Sequence, residues 1–283
     1  MSSRTRRVEW HLLVLLSVAT TLAGCASKFQ PRNFANPDAL FRAALAEFEK
    51  RNWDNAQLGF EQLTSDLSAR DQLLAPAYFY LALTHEEQKE FLLAAQAYER
   101  VVDGFPSDSL APRAMLGAGR SYQRLWRRPT LDPEYGERAQ ATFRALLGSY
   151  PDAKEAEEAT ARILELDEWF ALKAYLIGMH YVKVRGAYDS GILYFKDVVT
   201  NFPDTKVARD AWLRLHEMYT KKRWKDDAAE TCASIWKMYP GDREVIEACG
   251  PEPVHADTTR ATESVKPPVT VPVPDALARP GPR

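Results

Sequence analysis

The sequence predicts an all-α fold, about five antiparallel helix pairs stacked into a right-handed superhelical solenoid. Three observations predict it. Only 13 glycines fall among 283 residues, while Ala, Leu, Glu and Arg abound, which favours helix over sheet. Aromatic–proline corners recur at Phe105-Pro106, Tyr150-Pro151, Phe202-Pro203 and Tyr239-Pro240, each closing a helical run that proline cannot continue. Counting back from these corners gives a small residue followed four positions later by an aromatic: Ala94 with Tyr98, Ala139 with Phe143, Gly191 with Phe195. Residues four apart share a helix face, so the small residue admits a neighbouring helix and the ring plugs the space beside it.

The amino terminus carries an address. Arg4, Arg6 and Arg7 precede an apolar run from Leu12 to Leu22. Eleven helical residues rise about 16 Å, half of a bilayer core. Positive charge followed by a short apolar stretch reads as an export signal over residues 1–24. It ends in Leu22-Ala23-Gly24-Cys25, similar to the lipobox of bacterial lipoproteins. That likeness implies cleavage before Cys25, a diacylglycerol on its thiol and an acyl group on the new amino terminus, with no further cofactor. The alternative is an ordinary signal peptide with a chance cysteine. Residues 25–36 read as a lipidated tether.

Residues 37–249 read as the solenoid. The first helix places Leu40, Phe41, Ala44, Leu45 and Phe48 on one stripe, with Asp38 as its cap. Trp53, Ala56 and Phe60 supply the partner helix. Residues 64–75 lack an aromatic–proline corner, and 76–89 form the next first helix. Short breaks at Arg51-Asn52, Lys89-Glu90, Gly186-Ala187 and Arg223-Trp224 separate the helices of a pair. The corner prolines lie 45, 52 and 37 residues apart, against about 34 for a tetratricopeptide repeat. The first excess is a loop at Arg127–Tyr135; the second falls in 154–185, as one long helix or two with a tight joint. The last small–aromatic pair is degenerate, Ala228 with Cys232. Residues 250–283 hold eight of the 18 prolines and read as a disordered proline-rich tail.

The chemistry is sparse. A net charge of −2 gives no footprint for nucleic acid. Glycine-rich phosphate loops and nucleophile elbows are missing, so no catalytic group is assigned. His85, His180 and His216 fall on helices without a Cys, Asp or Glu at ligand spacing, so they read as core or groove residues and no metal is expected. Trp126-Arg127-Arg128 is either a packed Trp beside solvated charges or a binding cluster. Once Cys25 is lipidated, Cys232 and Cys249 remain, either as a disulfide tying a short final helix back or as one buried and one free thiol.

Residues 138–212, with RAQATFRALLGSYPDAKEAEEA and RGAYDSGILYFKDVVTNFPDTKVARDAW, and the loop LDPEYGERA resemble the BamD family, lipoproteins of the outer-membrane β-barrel assembly machinery. The resemblance implies a non-enzymatic scaffold on the periplasmic face of the outer membrane. Its implied partners are a barrel-forming outer-membrane protein with periplasmic domains, other assembly lipoproteins and unfolded outer-membrane protein segments. First helices of such pairs line a concave groove. In repeats one to three the lining would include Phe41, Leu45, Phe48, Phe79, Leu83, Arg120 and Gln123, the expected client groove; alternatively Phe41 and Phe79 belong to the core. Carried over, the turn and helix containing Arg185, Tyr188 and Tyr194 form the partner face. The competing function is a periplasmic adaptor lipoprotein for cell-wall synthesis or division.

Replacing Cys25 by Ala is expected to leave an uncleaved or soluble protein. Mass spectrometry of the mature amino-terminal peptide should show added acyl mass on Cys25, and an unmodified terminus elsewhere would refute the lipobox.

Overall fold

The computed structural model describes residues 29–251. The export signal, Cys25 and nearly all of the proline-rich tail lie outside the described residues. Eleven α-helices follow one another within them. Five pairs form: α1 (Pro37–Glu49) with α2 (Trp53–Asp66), α3 (Leu74–Glu87) with α4 (Phe91–Gly104), and α5 (Ala111–Leu125) with α6 (Glu134–Ser149). Then come α7 (Glu155–Arg185) with α8 (Tyr188–Asn201), α9 (Lys206–Lys222) with α10 (Lys225–Met238), and a closing α11 (Arg243–Cys249). Each helix packs on the next, and α5, α7 and α9 also touch in succession as an inner layer. The result is a helical solenoid.

Two corners alternate along it. Within pairs the chain reverses through a left-handed residue, at Arg51, Lys89, Gly186 and Arg223, with φ of 62°, 63°, 61° and 62°. Three of these are not glycine, so they hold a conformation that costs an L-residue free energy. At the first of them Asn55, Lys50 and Asn52 hydrogen-bond the Glu47 carboxylate and hold it at about 2, fastening α1 to α2. Between pairs the aromatic–proline corners repeat one geometry. Phe105, Tyr150, Phe202 and Tyr239 have φ of −139°, −136°, −135° and −130°, and each donates its N–H to the carbonyl four residues back. The following proline excludes helical backbone there.

The small–aromatic pairs form the core. Ala56, Phe60, Ala94, Ala139, Phe143 and Phe195 are fully buried, and Tyr98 is 1% exposed. Opposite three of these rings stand glycines. A Cβ on Gly119 would lie 2.4 Å from Phe143, one on Gly117 2.6 Å from Tyr98, and one on Gly178 2.8 Å from Phe195. Residues 155–185 form one helix of 31 residues, about 46 Å long. Its Ala159 and Leu166 pack in the core of the third repeat, whereas Ala171 and Ala174 pack in that of the fourth and fifth. The long helix thus splices two cores.

Several local expectations are corrected. The cap of α1 is Asn36, whose side chain accepts the N–H of Ala39 at 2.8 Å. Pro37 takes the first helical position, which suits its missing donor, and moves Asp38 into the first turn. Helix α3 begins at Leu74, two residues earlier than the pattern indicates. The polar residues after the corners rarely cap the next helix. Asp242 does so for α11, while Asp108 ties its own turn through the N–H of Leu110 at 2.8 Å. The tether is not wholly irregular: Pro31–Asn33 form a 3-10 turn, and Phe29 and Phe34 rest on the first core.

Helix α11 has seven residues, too few to persist alone. Val245 buries it against Ile235 and Trp236. Arg209 on α9 grips Asp242 with two hydrogen bonds of 2.7 Å each. Together with the N–H groups of Val245 and Glu244, this guanidinium holds the Asp242 carboxyl down at about 2.

Gly119→Ala should destabilise the fold by about 1–3 kcal/mol, since the Phe143 ring is enclosed and an added methyl overpacks it. The thermal midpoint should fall by about 3–10 °C, and an unchanged midpoint would mean that the ring moves freely. For Asp242, the depressed pKa means its contribution is present above the ordinary carboxylate pKa, about 4, and fades as pH falls towards 2. Asp242→Asn should therefore lower the melting temperature by a few degrees at neutral pH and converge with the parent by about pH 2. A pH-independent difference would contradict the ion pair.

Candidate functional site

The first helices of repeats two to four bound a cleft of about 1030 Å³. Arg120, Gln123 and Arg124 reach it from α5, Glu86 and Lys89 from the end of α3 and its turn, and Arg162 and Trp169 from α7. Arg120 and Arg124 are one helical turn apart, so both face the same side. Trp126 and Arg127 close one end.

Charge in the cleft is unevenly paired. Arg120 lies 3.6 Å from Glu86 and 3.9 Å from Glu158. Arg162 pairs with Glu158 at 3.2 Å and Glu165 at 3.3 Å. Arg124 and Arg127 make no ion pair among the described residues; the Arg124 guanidinium sits 5.7 Å from the Phe91 ring centre, within cation–π range. Glu86 anchors the wall, accepting from the Tyr98 hydroxyl at 2.7 Å. Burial, then Glu86, pushes the Tyr98 phenol far above its ordinary pKa, so it stays a hydrogen-bond donor. Two buried polar atoms at the cleft, Gln123 Oε1 and Trp126 Nε1, find no hydrogen-bond partner among the described residues. An unpaired buried donor or acceptor costs about 1–3 kcal/mol.

The expected groove residues divide. Phe41, Leu45 and Phe48 pack against the core of repeats one and two, with the Phe41 ring 5.8 Å from Phe60 and the Phe48 ring 5.6 Å from Tyr80. They face the interior because α1 turns its stripe onto α2 and α3. Phe79 is 4% exposed. With Leu83 and Arg120 it borders a smaller recess of about 330 Å³. Arg120 and Gln123 line the larger cleft. Arg127 belongs to the Trp126-Arg127-Arg128 cluster read from the sequence, whereas Arg124 and Arg162 escaped that reading, although the spacing of Arg124 from Arg120 was the available signal. Trp126 is 2% exposed and packs on Trp169 and Phe170, at 5.4 and 4.7 Å between rings, while Arg127 and Arg128 are exposed.

On the opposite end of α7, Arg185 is exposed and borders a recess with His180 and Tyr181. Tyr194 stacks on Tyr181 at 5.6 Å. Tyr188 lies 5.6 Å below Lys221, and Asp189 pairs with Lys222. Val184 and Leu193 beside them are 67% and 66% exposed.

Two histidines have neighbours that the sequence spacing did not indicate. His85 meets Glu90 at 2.8 Å, and His216 meets Cys232 at 3.2 Å. Both contacts cross the turn within a helix pair, and His216 and Cys232 stand nearly equidistant from the turn at Arg223-Trp224. Cys232 and Cys249 are joined by a disulfide with a Cα separation of 5.6 Å across 17 residues. A loop of that length is worth about 3 kcal/mol on the chain-entropy model.

Among known proteins, an outer membrane protein assembly factor BamD from Caulobacter vibrioides is 24% identical over 240 residues, spanning 82% of this chain and 76% of that protein. One of the same name from Rickettsia prowazekii is 21% identical over 238 residues, spanning 82% and 92%. A crystallised TPR repeats protein from Bacteroides fragilis aligns with a TM-score of 0.45 at 12% identity, over 76% of this chain and 97% of that one. The outer membrane lipoprotein family YfiO matches residues 34–234, from the first packed turn to the fifth helix pair. The chain therefore belongs to the outer membrane lipoprotein family YfiO, the BamD family of the sequence resemblance.

Proposed function

We propose that this chain is an outer-membrane protein assembly factor, anchored through Cys25, that scaffolds rather than catalyses. The cleft across α3, α5 and α7 receives an extended segment of an unfolded outer-membrane protein. One observation carries this reading: Arg124 and Arg127, which make no ion pair among the described residues, line one cleft together with Arg120, Gln123 and Trp126. Guanidinium groups suit the carboxylate of a peptide chain. The assembly-factor names of relatives spanning most of the chain support the same class of partner.

The partner face lies at the other end of α7. Exposed Val184 and Leu193 beside Arg185, Tyr188 and Tyr194 combine apolar area with aromatic and guanidinium groups, the composition of interface anchors. A periplasmic domain of the barrel-forming protein is its occupant.

Fluorescence anisotropy with a carboxy-terminal peptide of an outer-membrane β-barrel protein tests the cleft. Arg124→Glu with Arg127→Glu should weaken binding at least tenfold, because charge-assisted hydrogen bonds are worth about 1.5–3 kcal/mol. Amidating the peptide's terminal carboxylate should weaken it similarly. Unchanged affinity in the double variant would refute this cleft as the client site.

A further inference from the structure

Three ligating side chains converge at the carboxy-terminal end of the solenoid, from three different helices: His216 on α9, Cys232 on α10 and Cys249 on α11. One ligand atom from each lies within 4.8 Å of the others. We propose that, when the disulfide is opened, these three residues bind one Zn²⁺ ion, which replaces the disulfide as the clasp on α11.

The imidazole is set for this. His216 Nδ1 lies 3.2 Å from the Ala228 carbonyl oxygen. The same nitrogen lies 3.2 Å from Cys232 Sγ, so Nδ1 is the ring atom that faces the sulfur and, deprotonated, takes the metal. Nε2 lies farther from that sulfur, at 3.9 Å. Tetrahedral zinc with Zn–N of about 2.0–2.1 Å and Zn–S of about 2.3 Å needs ligand atoms about 3.6 Å apart for an N–S pair and about 3.8 Å for two sulfurs. The His–Cys pair is within a few tenths of an ångström of that spacing. Opening the bridge lets the two sulfurs separate to theirs. All three residues are half-buried, which limits competing water without sealing the site. His216 and Ala248 border a cleft of about 760 Å³ with Glu217 and Glu247, from which a water or carboxylate supplies the fourth ligand.

The chemistry balances. A dithiol reductant gives two electrons and two protons to the Cys232–Cys249 bridge, and becomes a disulfide itself. The two resulting thiols release two protons as Zn²⁺ binds their thiolates, and neutral His216 binds without proton loss. Either clasp holds α11 over Ile235 and Trp236, the apolar surface that Val245 covers. The terminal helix thus keeps a covalent or coordinate staple in both redox states, on the last repeat among the described residues.

The test uses the mature lipoprotein in detergent, reduced anaerobically with a phosphine and titrated with Co²⁺, then Zn²⁺. The reduced chain should take up one Co²⁺ with thiolate-to-metal charge-transfer absorption, release two protons per ion and exchange it for one Zn²⁺. The disulfide form should bind neither ion. His216→Ala and Cys249→Ser should each weaken binding at least tenfold. Because a variant could fail to fold, circular dichroism accompanies it, and the parent's stoichiometry stands on its own. Failure of the reduced parent to bind one ion, or a folded His216→Ala that binds as tightly, overturns the proposal.

Discussion

A bulky ring closing on a residue with little or no side chain is the contact on which this solenoid depends. Phe143 against Gly119, Tyr98 against Gly117 and Phe195 against Gly178 each leave no room for a Cβ. Such approaches bring helix axes close, so that one ring covers backbone on the facing helix and excludes water from both. A helix pair buries only part of its apolar surface by itself, and stacking supplies the remainder. The aromatic–proline corners serve the same contact. They end each second helix at a fixed place and angle, which delivers the next first helix to the exposed side of the ring.

The irregularities of the repeat produce the surfaces that distinguish this chain from a uniform array. The loop before α6 carries the backbone past Trp126, which packs on Trp169 and Phe170 of the long helix. That contact sets one end of the cationic cleft. Helix α7 outgrows its own repeat, shares one core with α6 and another with α8, and so couples the two halves mechanically.

Ends of solenoids expose surface that internal repeats cover with the next unit, and here the two ends differ. At the amino terminus Phe29 and Phe34 fold onto the first core. At the carboxy terminus a seven-residue helix does this work, held by the Arg209–Asp242 ion pair, the buried Val245 and the Cys232–Cys249 bridge. A helix that short needs tertiary fasteners because its own hydrogen bonds do not compensate the entropy of forming it.

Helix periodicity, the corners and the breaks within pairs were legible because they are local: period 3.6, proline's missing donor and small–aromatic spacing act within a few residues. The unbroken pattern of 154–185 was legible as helix but not as one element or two, since a joint there would depend on packing. The surface was harder to read. Phe41 and Phe48 carry the same stripe whether they face a groove or a neighbouring helix, and only the packing of α1 on α2 and α3 turned them inward. Arg124 and Arg162, 38 residues apart in sequence, enter one cleft because α5 and α7 are neighbours in the inner layer. By itself the sequence determined the kind of element, the number of pairs and the neighbourhood of the breaks between them. Tertiary structure alone decided which side chains meet, as at His216, Cys232 and Cys249, because those meetings depend on how successive pairs rotate against one another.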